Sequence, residues 1–294
     1  MKERSAYFTR QKNFLRSFVI FSIISFKSFA DGNPFPIGAR AWGLANATVA
    51  RSDYYAIGNN IAGLAGISNP TIFSTYDSHY GFDGINTLGF GAVIPLSKDL
   101  GTGFSIQRFG DKTYNQIAIG MGAGHRINRF SLGLKINYLQ TAINSSTITL
   151  SKKALVFEFG GIAMISSKLY FGAHMFNVTQ SHYSGEIHEQ IDTALKTGFL
   201  YKPSKTVQIS AEIEKVTTYR LNFRAGLEYE VMPNFFVRTG IASRPQTNHF
   251  GIGFKGIKFH IDYAVHTHPQ LGWSHHFSLG YLLNSNKEKS KILE

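Results

Sequence analysis

The stretch YRLNFRAGLEYEV, residues 219–231, decides the fold. Leu221, Phe223, Ala225, Leu227, Tyr229 and Val231 point one way if the backbone is extended. Arg220, Asn222, Arg224, Gly226, Glu228 and Glu230 point the other way. A helix would spread those charges around its circumference, whereas a strand collects them on one side. KFHIDYAVH repeats the pattern, with Phe259, Ile261, Tyr263 and Val265 opposing Lys258, His260, Asp262 and His266. VQISAEIE sets Val207, Ile209, Ala211 and Ile213 against Gln208, Ser210, Glu212 and Glu214.

Outward from these segments, period two runs from Thr71 to the end of the body. It predicts fourteen strands, over 71–79, 85–95, 102–109, 114–124, 130–141, 153–164, 169–178, 193–201, 206–214, 219–231, 235–242, 248–255, 257–266 and 274–283. Short connections are predicted at 126–129, 166–168, 232–234 and 255–256. Longer ones are predicted at 142–152, 179–192 and 243–247. With the chain start on the periplasmic side, the short connections are periplasmic and the long ones lie outside. An even count of roughly ten-residue strands with such alternation describes a transmembrane antiparallel β-barrel.

A soluble β-sandwich is the competing fold, since it also alternates with one face buried. Three features favour the barrel. Few strands carry a charge on the apolar side, Arg108 being an exception. Almost no helix is visible to cover a sheet. Aromatics recur at strand ends (Phe109, Tyr114, Phe130, Tyr138, Tyr170, Tyr201, Tyr219, Phe235, Tyr281), where a bilayer interface would hold them.

Composition agrees with an envelope protein. The 294 residues are 43% hydrophobic and 16% charged, with 25 Phe, 14 Tyr and 29 Gly. Cysteine is absent, which removes disulfides, thiolate metal sites and cysteine nucleophiles. Net charge is +12, but residues 1–30 hold six Lys/Arg and one acid. The remainder carries 24 basic against 17 acidic residues, so no nucleic-acid partner is expected. Residues 1–17 are basic and polar, 18–26 read FVIFSIISF, and SFA ends at Ala30. That layout predicts a signal peptide over 1–30, a nine-residue apolar run being too short to span a bilayer as a helix. A buried N-terminal helix is the alternative.

Residues 31–70 do not alternate and are rich in Gly, Ala and Asn. A fourteen-stranded barrel is too wide for its own side chains to fill. This segment is therefore expected to fold inward as a plug or hatch, the alternative being a solvated lead-in. Trp42, Leu44 and Val49 favour the plug. The barrel is then expected over 71–283, with a polar tail at 284–294.

GARAWGLANATVA at 38–50 and NNIAGLA at 59–65 resemble the start of the FadL-like outer-membrane superfamily, and within it the Bacteroidetes branch of PorV and PorQ. The matching positions are Gly38, Ala39, Arg40, Ala41, Gly43, Ala47, Val49, Ala50, Asp53, Asn60, Ala62, Gly63 and Leu64. Ile61 stands where the family has proline. The resemblance implies a fourteen-stranded barrel of a Gram-negative outer membrane. It also implies an N-terminal hatch, with Gly38, Arg40, Gly43, Asp53, Asn60, Ile61, Ala62 and Gly63 as hatch residues. The chain is short for the family, and its longest predicted outer loop is about fourteen residues.

Strand parity places Lys135, Glu158, His174, Lys196, Glu212, Glu214, Arg220, Arg224, Glu228, Glu230, Arg238, Lys258, His260, Asp262 and His276 on the lumen wall. Across the 232–234 turn, pairing Val231 with Phe235 sets Glu228 opposite Arg238. A short turn at 216–218 likewise sets Glu214 opposite Arg220. These charges read either as an ion network anchoring the plug or as a path for an ionic solute. His266 and His268 share a face, but no carboxylate or thiolate completes a metal site by spacing, so solvated rim histidines are expected. No phosphate loop, G-x-S-x-G or H-E-x-x-H is present, so no enzyme and no cofactor is expected.

Two functions follow as expectations. One is a passive, hatch-gated conduit for small hydrophobic or amphipathic molecules, in contact with outer-membrane lipid. The other is an accessory barrel of a type IX secretion system, binding secretion-system proteins at its rim. A bulk porin is opposed by a plugged lumen.

Overall fold

The computed structural model describes residues 36–145, 149–184 and 189–283. The predicted signal peptide and the 284–294 tail lie outside these. Fourteen strands form one closed antiparallel barrel. They are β1 (Thr71–Ser78), β2 (Asn86–Pro95), β3 (Leu100–Gly110), β4 (Tyr114–Ile127), β5 (Phe130–Asn144), β6 (Thr149–Met164), β7 (Leu169–Phe176), β8 (Ala194–Tyr201), β9 (Val207–Val216), β10 (Asn222–Met232), β11 (Phe235–Ser243), β12 (Gln246–Lys255), β13 (Phe259–His268) and β14 (Gly272–Leu282). Each strand pairs with its sequence neighbours, and β1 closes on β14 from Thr71↔Leu282 to Ser78↔His275. Closure leaves no sheet edge, which a lipid environment demands because unpaired backbone groups cost several kcal/mol each there. Among the described residues no helix is long and apolar enough to cross a membrane.

Burial runs inside out, and this excludes the sandwich. Phe223 on β10 is 55% exposed while Glu228 on the same strand is 1% exposed. Leu134, Phe159, Phe250, Ile252 and Phe277 stand on the outer surface, and Glu158, Glu212, Asp262 and His276 are buried within. A sandwich would show the reverse, apolar side chains in and charges out. Arg108 does lie on the outer face near the end of β3, where its guanidinium reaches back to the Asp111 carbonyl at 3.3 Å.

The connections correct the expected alternation. Those at the end of the barrel beside Thr71 and Leu282 are short, as at 128–129 and 233–234. Several at the opposite end are equally short: 111–113, 244–245 and 269–271. The anticipated long loops at 142–152 and 243–247 are mostly strand, because β5, β6, β11 and β12 extend past where the apolar alternation fades. The connection 177–193 is long, and it sits at that opposite end.

Three smaller elements precede the barrel: α1 (Ala39–Gly43), α2 (Ala56–Asn59) and a 3-10 helix (Ile61–Gly66). Ile37, Leu44, Tyr55, Ile57, Ile61 and Leu64 in this region are all buried. α1 packs on β11 to β14, and the 3-10 helix packs on β2 to β6. Wall glycines make the approach possible. A Cβ on Gly124 would lie 2.7 Å from the Ile61 carbonyl, and one on Gly240 2.6 Å from the Ala45 nitrogen. Side chains at these points would displace the segment.

Candidate functional site

The lumen and the segment packed in it form the candidate site. Its centre is Glu228 on β10, where three guanidinium groups converge. Arg238 on β11 donates from Nε at 2.6 Å. Arg40 on α1 binds both carboxylate oxygens, at 2.8 and 2.6 Å. Arg51 adds a contact at 3.3 Å. Arg40 also pairs with Asp53 at 3.2 Å, and Arg238 with Asp262 at 2.7 Å. Bidentate arginine–carboxylate bonds fix orientation as well as distance. Burial disfavours the Arg40 cation, but Glu228 and Asp53 more than offset it and raise its pKa above the ordinary value. Burial brings Arg51 down to about 10 despite Glu228, with Arg40 and Arg238 repelling it.

A second anchor is Glu212 on β9. One of its oxygens accepts the backbone N–H groups of Thr48 and Val49, both at 2.9 Å, and the other pairs with Arg224 at 3.3 Å. Glu214 pairs with Arg224 and with Lys196. Three strands further round, Glu158 on β6 accepts from Asn137 at 2.6 Å, Lys135 at 3.3 Å and His174 at 2.9 Å.

The expected hatch residues have distinct roles in this packing. Gly38 precedes α1 at φ 96°, a left-handed conformation, and a Cβ there would strike the Tyr55 ring at 2.8 Å. Gly43 lies against Gly251, whose Cα would be 3.2 Å from an added Cβ. Asp53 accepts from the Tyr55 backbone at 3.0 Å as well as from Arg40. Asn60 caps the 3-10 helix, its Oδ1 accepting from Ala62 N at 3.2 Å. Its Nδ2 donates to the Val49 carbonyl at 2.5 Å and to wall carbonyls of Gly161 and Ala173 at 3.3 Å. Ile61 begins that helix fully buried. Gly63 is closed in by Ala56, 2.7 Å from an added Cβ.

On the wall, Glu212, Glu214, Arg224, Glu228, Arg238 and Asp262 face the lumen, and His260 rests near Tyr54 with rings 5.8 Å apart. Glu228 does stand opposite Arg238. Val231 does not pair with Phe235; Met232 does, and a bulge after Glu230 absorbs the extra residue so the register above it survives. Two assignments are corrected. Arg220 is exposed in the 217–221 connection, and Glu214 pairs with Asn222 instead, because that turn is longer than three residues. Lys258 lies in the 256–258 turn below β13 rather than on the wall.

Sequence reasoning missed the histidine stack. His266 and His276 are buried, not solvated at the rim. His266 Nδ1 and His276 Nε2 are 2.8 Å apart, and His276 Nδ1 is 2.7 Å from Asp77. Trp42 of α1 stacks on both rings, at centroid separations of 5.1 and 4.1 Å. His249 stacks on His266 at 4.9 Å. The signal was parity: all these wall residues fall on inward positions, but only the β1–β14 closure brings Asp77 to His276. Among the described residues no metal-holding cluster is present.

Above the ion network, Leu139, Val156, Phe176 and Val216 form an apolar patch on the inner wall, covered by Tyr183 and Ile191 of the 177–193 connection. The roof is held by Asn177, which donates to the Ile191 carbonyl at 2.7 Å, and by the Lys152–Glu189 ion pair.

No protein-family model and no curated protein matches this chain. Solved structures do. A Pseudomonas aeruginosa FadL homologue superposes with a TM-score of 0.63 at 14% identity, over 87% of this chain and 100% of that one. The P. putida toluene transporter TodX superposes with a TM-score of 0.66 at 10% identity, over 86% of this chain and all of the other. The fold is that of the FadL and TodX barrels. A TodX mutant described as a monoaromatic hydrocarbon channel matches at 0.61 and 10% identity, over 83% of this chain and 97% of its own. None of these three FadL-type barrels is a PorV or PorQ protein.

Proposed function

We propose that this chain is an outer-membrane barrel that conducts small hydrophobic or amphipathic molecules, with residues 31–70 as its hatch. The observation that carries the reading is the seating of 37–65 in the lumen by reversible polar bonds to Glu228 and Glu212, within a FadL-type fold. Ion pairs and hydrogen bonds can break and re-form as the segment shifts. The toluene transporter fold of TodX supports an apolar solute. The charged lower lumen stands against a continuous greasy tunnel. The apolar patch beneath Tyr183 and Ile191 answers part of that objection, since it offers an apolar solute a first resting place on the outer side of the hatch. Passage then requires the hatch to shift. The secretion-accessory reading gains nothing from the short connections at 111–113, 244–245 and 269–271, because a standard interface needs about 800 Å² per partner.

The absence of cysteine makes a clean test available. The Ala39 nitrogen lies 3.2 Å from the Ser278 hydroxyl, so Ala39→Cys with Ser278→Cys brings two sulfurs within reach across hatch and wall. Uptake of an aromatic hydrocarbon into proteoliposomes should fall on oxidation and return on reduction. Uptake unchanged by a formed crosslink would end the gating idea.

A further inference from the structure

We infer that the outer wall over β8 to β12 is a docking site for a phosphorylated, multiply acylated lipid of the outer leaflet. This rests on the reading of the chain as an outer-membrane barrel. A groove of about 670 Å³ lies on that wall. Its floor is the cross-strand pair Ala211↔Ala225, and Phe199 and Ile241 flank that pair in the same row. Ile213↔Phe223 forms the next row toward the rim. Small residues between large ones leave a trough in the outer surface. The volume falls in the roughly 300–1,000 Å³ range of small-molecule sites.

Charge identifies the occupant. Lys215 lies two residues beyond Ile213 on the same face of β9. Arg220 lies in the 217–221 connection, three residues before Phe223, and Arg244 directly follows Ser243, another groove residue. The two connections touch, since Arg244 N donates to Asn222 Oδ1 at 3.0 Å and Phe223 N to Ser243 Oγ at 2.8 Å. All three cations are exposed. Among the described residues, Asp192 of the neighbouring connection is bonded by the Thr218 hydroxyl at 2.6 Å. The Lys215 ammonium donates to the Tyr219 carbonyl.

These connections share their end of the barrel with the long 177–193 loop, the extracellular end by the rule that outer loops are the longer ones. From Lys215 to Ala211 the strand runs about 13 Å at ~3.3 Å per residue. A strand tilt of roughly 35–45° makes that about 10 Å of depth, within the outer half of the roughly 30 Å hydrocarbon core. Cations at the headgroup level above an apolar trough in the outer leaflet match a lipid with anionic phosphates and several acyl chains. A zwitterionic two-chain lipid would use the trough without the cations.

The test is native mass spectrometry of the full chain refolded in detergent with bis-phosphorylated hexa-acyl lipid A, phosphatidylethanolamine or phosphatidylglycerol. Lipid A should be retained in preference to both. Replacing Lys215, Arg220 and Arg244 by Gln should weaken retention at least tenfold, and so should Ala225→Phe, which fills the trough. Equal retention of phosphatidylethanolamine, retention insensitive to either variant, or a dimer occupying the face each overturns the proposal. Heat-modifiable migration of every variant reports separately on whether the barrel forms and inserts. Failure there would strike the membrane-barrel reading itself rather than the lipid site.

Discussion

Asp77 Oδ1 lies 2.7 Å from His276 Nδ1 across the β1–β14 seam, joining the first strand of the barrel to the last. Both residues are fully buried, and Trp42 of α1 stacks directly on the His276 ring. This side-chain bond across the closing seam is thus also the floor on which Trp42 rests. His276→Ala leaves the Asp77 carboxyl buried without its hydrogen-bond partner and should cost about 1–3 kcal/mol, the scale for an unsatisfied buried polar group. Urea unfolding of the folded barrel measures this. In a Trp273→Phe background, Trp42 is the remaining tryptophan, and its emission should shift to the red as the stack is lost.

Glu228→Gln removes the charge on which Arg40, Arg51 and Arg238 converge. Of the three cations, Arg40 then keeps its pair with Asp53 and Arg238 its pair with Asp262. The barrel wall keeps its backbone ladder, so the loss should fall mainly on the hatch. Limited proteolysis should cut within 36–70 while the barrel remains protected. A hatch as resistant as in the parent protein would show that the apolar contacts around Ile57, Ile61 and Leu64 hold it alone.

Gly124→Val tests steric seating apart from charge. The new side chain would meet the Ile61 carbonyl and the Ala65 nitrogen, 2.7 and 3.0 Å from its Cβ. Overpacking of this kind costs about 1–3 kcal/mol. Barrel formation should survive, and hydrogen exchange in residues 61–66 should rise strongly.

Acid should loosen the protein at its outer end. Burial lowers the His79 pKa from 6.5 to about 4, His276 lowering it further and Asp77 opposing in part. The folded protein keeps this ring neutral, and its Nε2 lies 2.9 Å from the Thr87 hydroxyl. The unfolded chain takes up a proton as pH falls below 6.5, so the contribution is whole above that pH and is lost between about 6.5 and 4. Its full size is at most about 3.5 kcal/mol at ~1.4 kcal/mol per unit. Unfolding midpoints measured across that window should fall in the parent and fall less steeply in His79→Gln.

Arg220→Ala and Arg224→Ala separate neighbours that alternation placed together. Arg220 is exposed outside the strands and should change stability by no more than about 0.5 kcal/mol. Arg224 bridges Glu212 and Glu214, and its loss should cost several times as much, read from the same unfolding curves.

The strands were legible because period two is a local property. Each residue's face follows from its position along an extended chain, so Phe223 outward and Glu228 inward needed nothing beyond the order of residues. The Glu228–Arg238 pair was legible for a related reason: a tight turn ties register to counting. Counting failed at Arg220, where a five-residue connection replaced the expected short one and moved the charge off the wall. It also failed for the loops, whose polar ends continue as strand because backbone pairing outlasts apolar alternation.

Sequence alone determined that this chain makes many two-faced strands with charges on one side and lipid-compatible side chains on the other. Tertiary structure decided which of those charges meet. Asp77 and His276 are 199 positions apart, and Arg40 and Glu228 are 188 apart. No local rule links residues at such separations. Only closure of the sheet into a ring, and the fit of small hatch residues against wall glycines, brings them within hydrogen-bond reach.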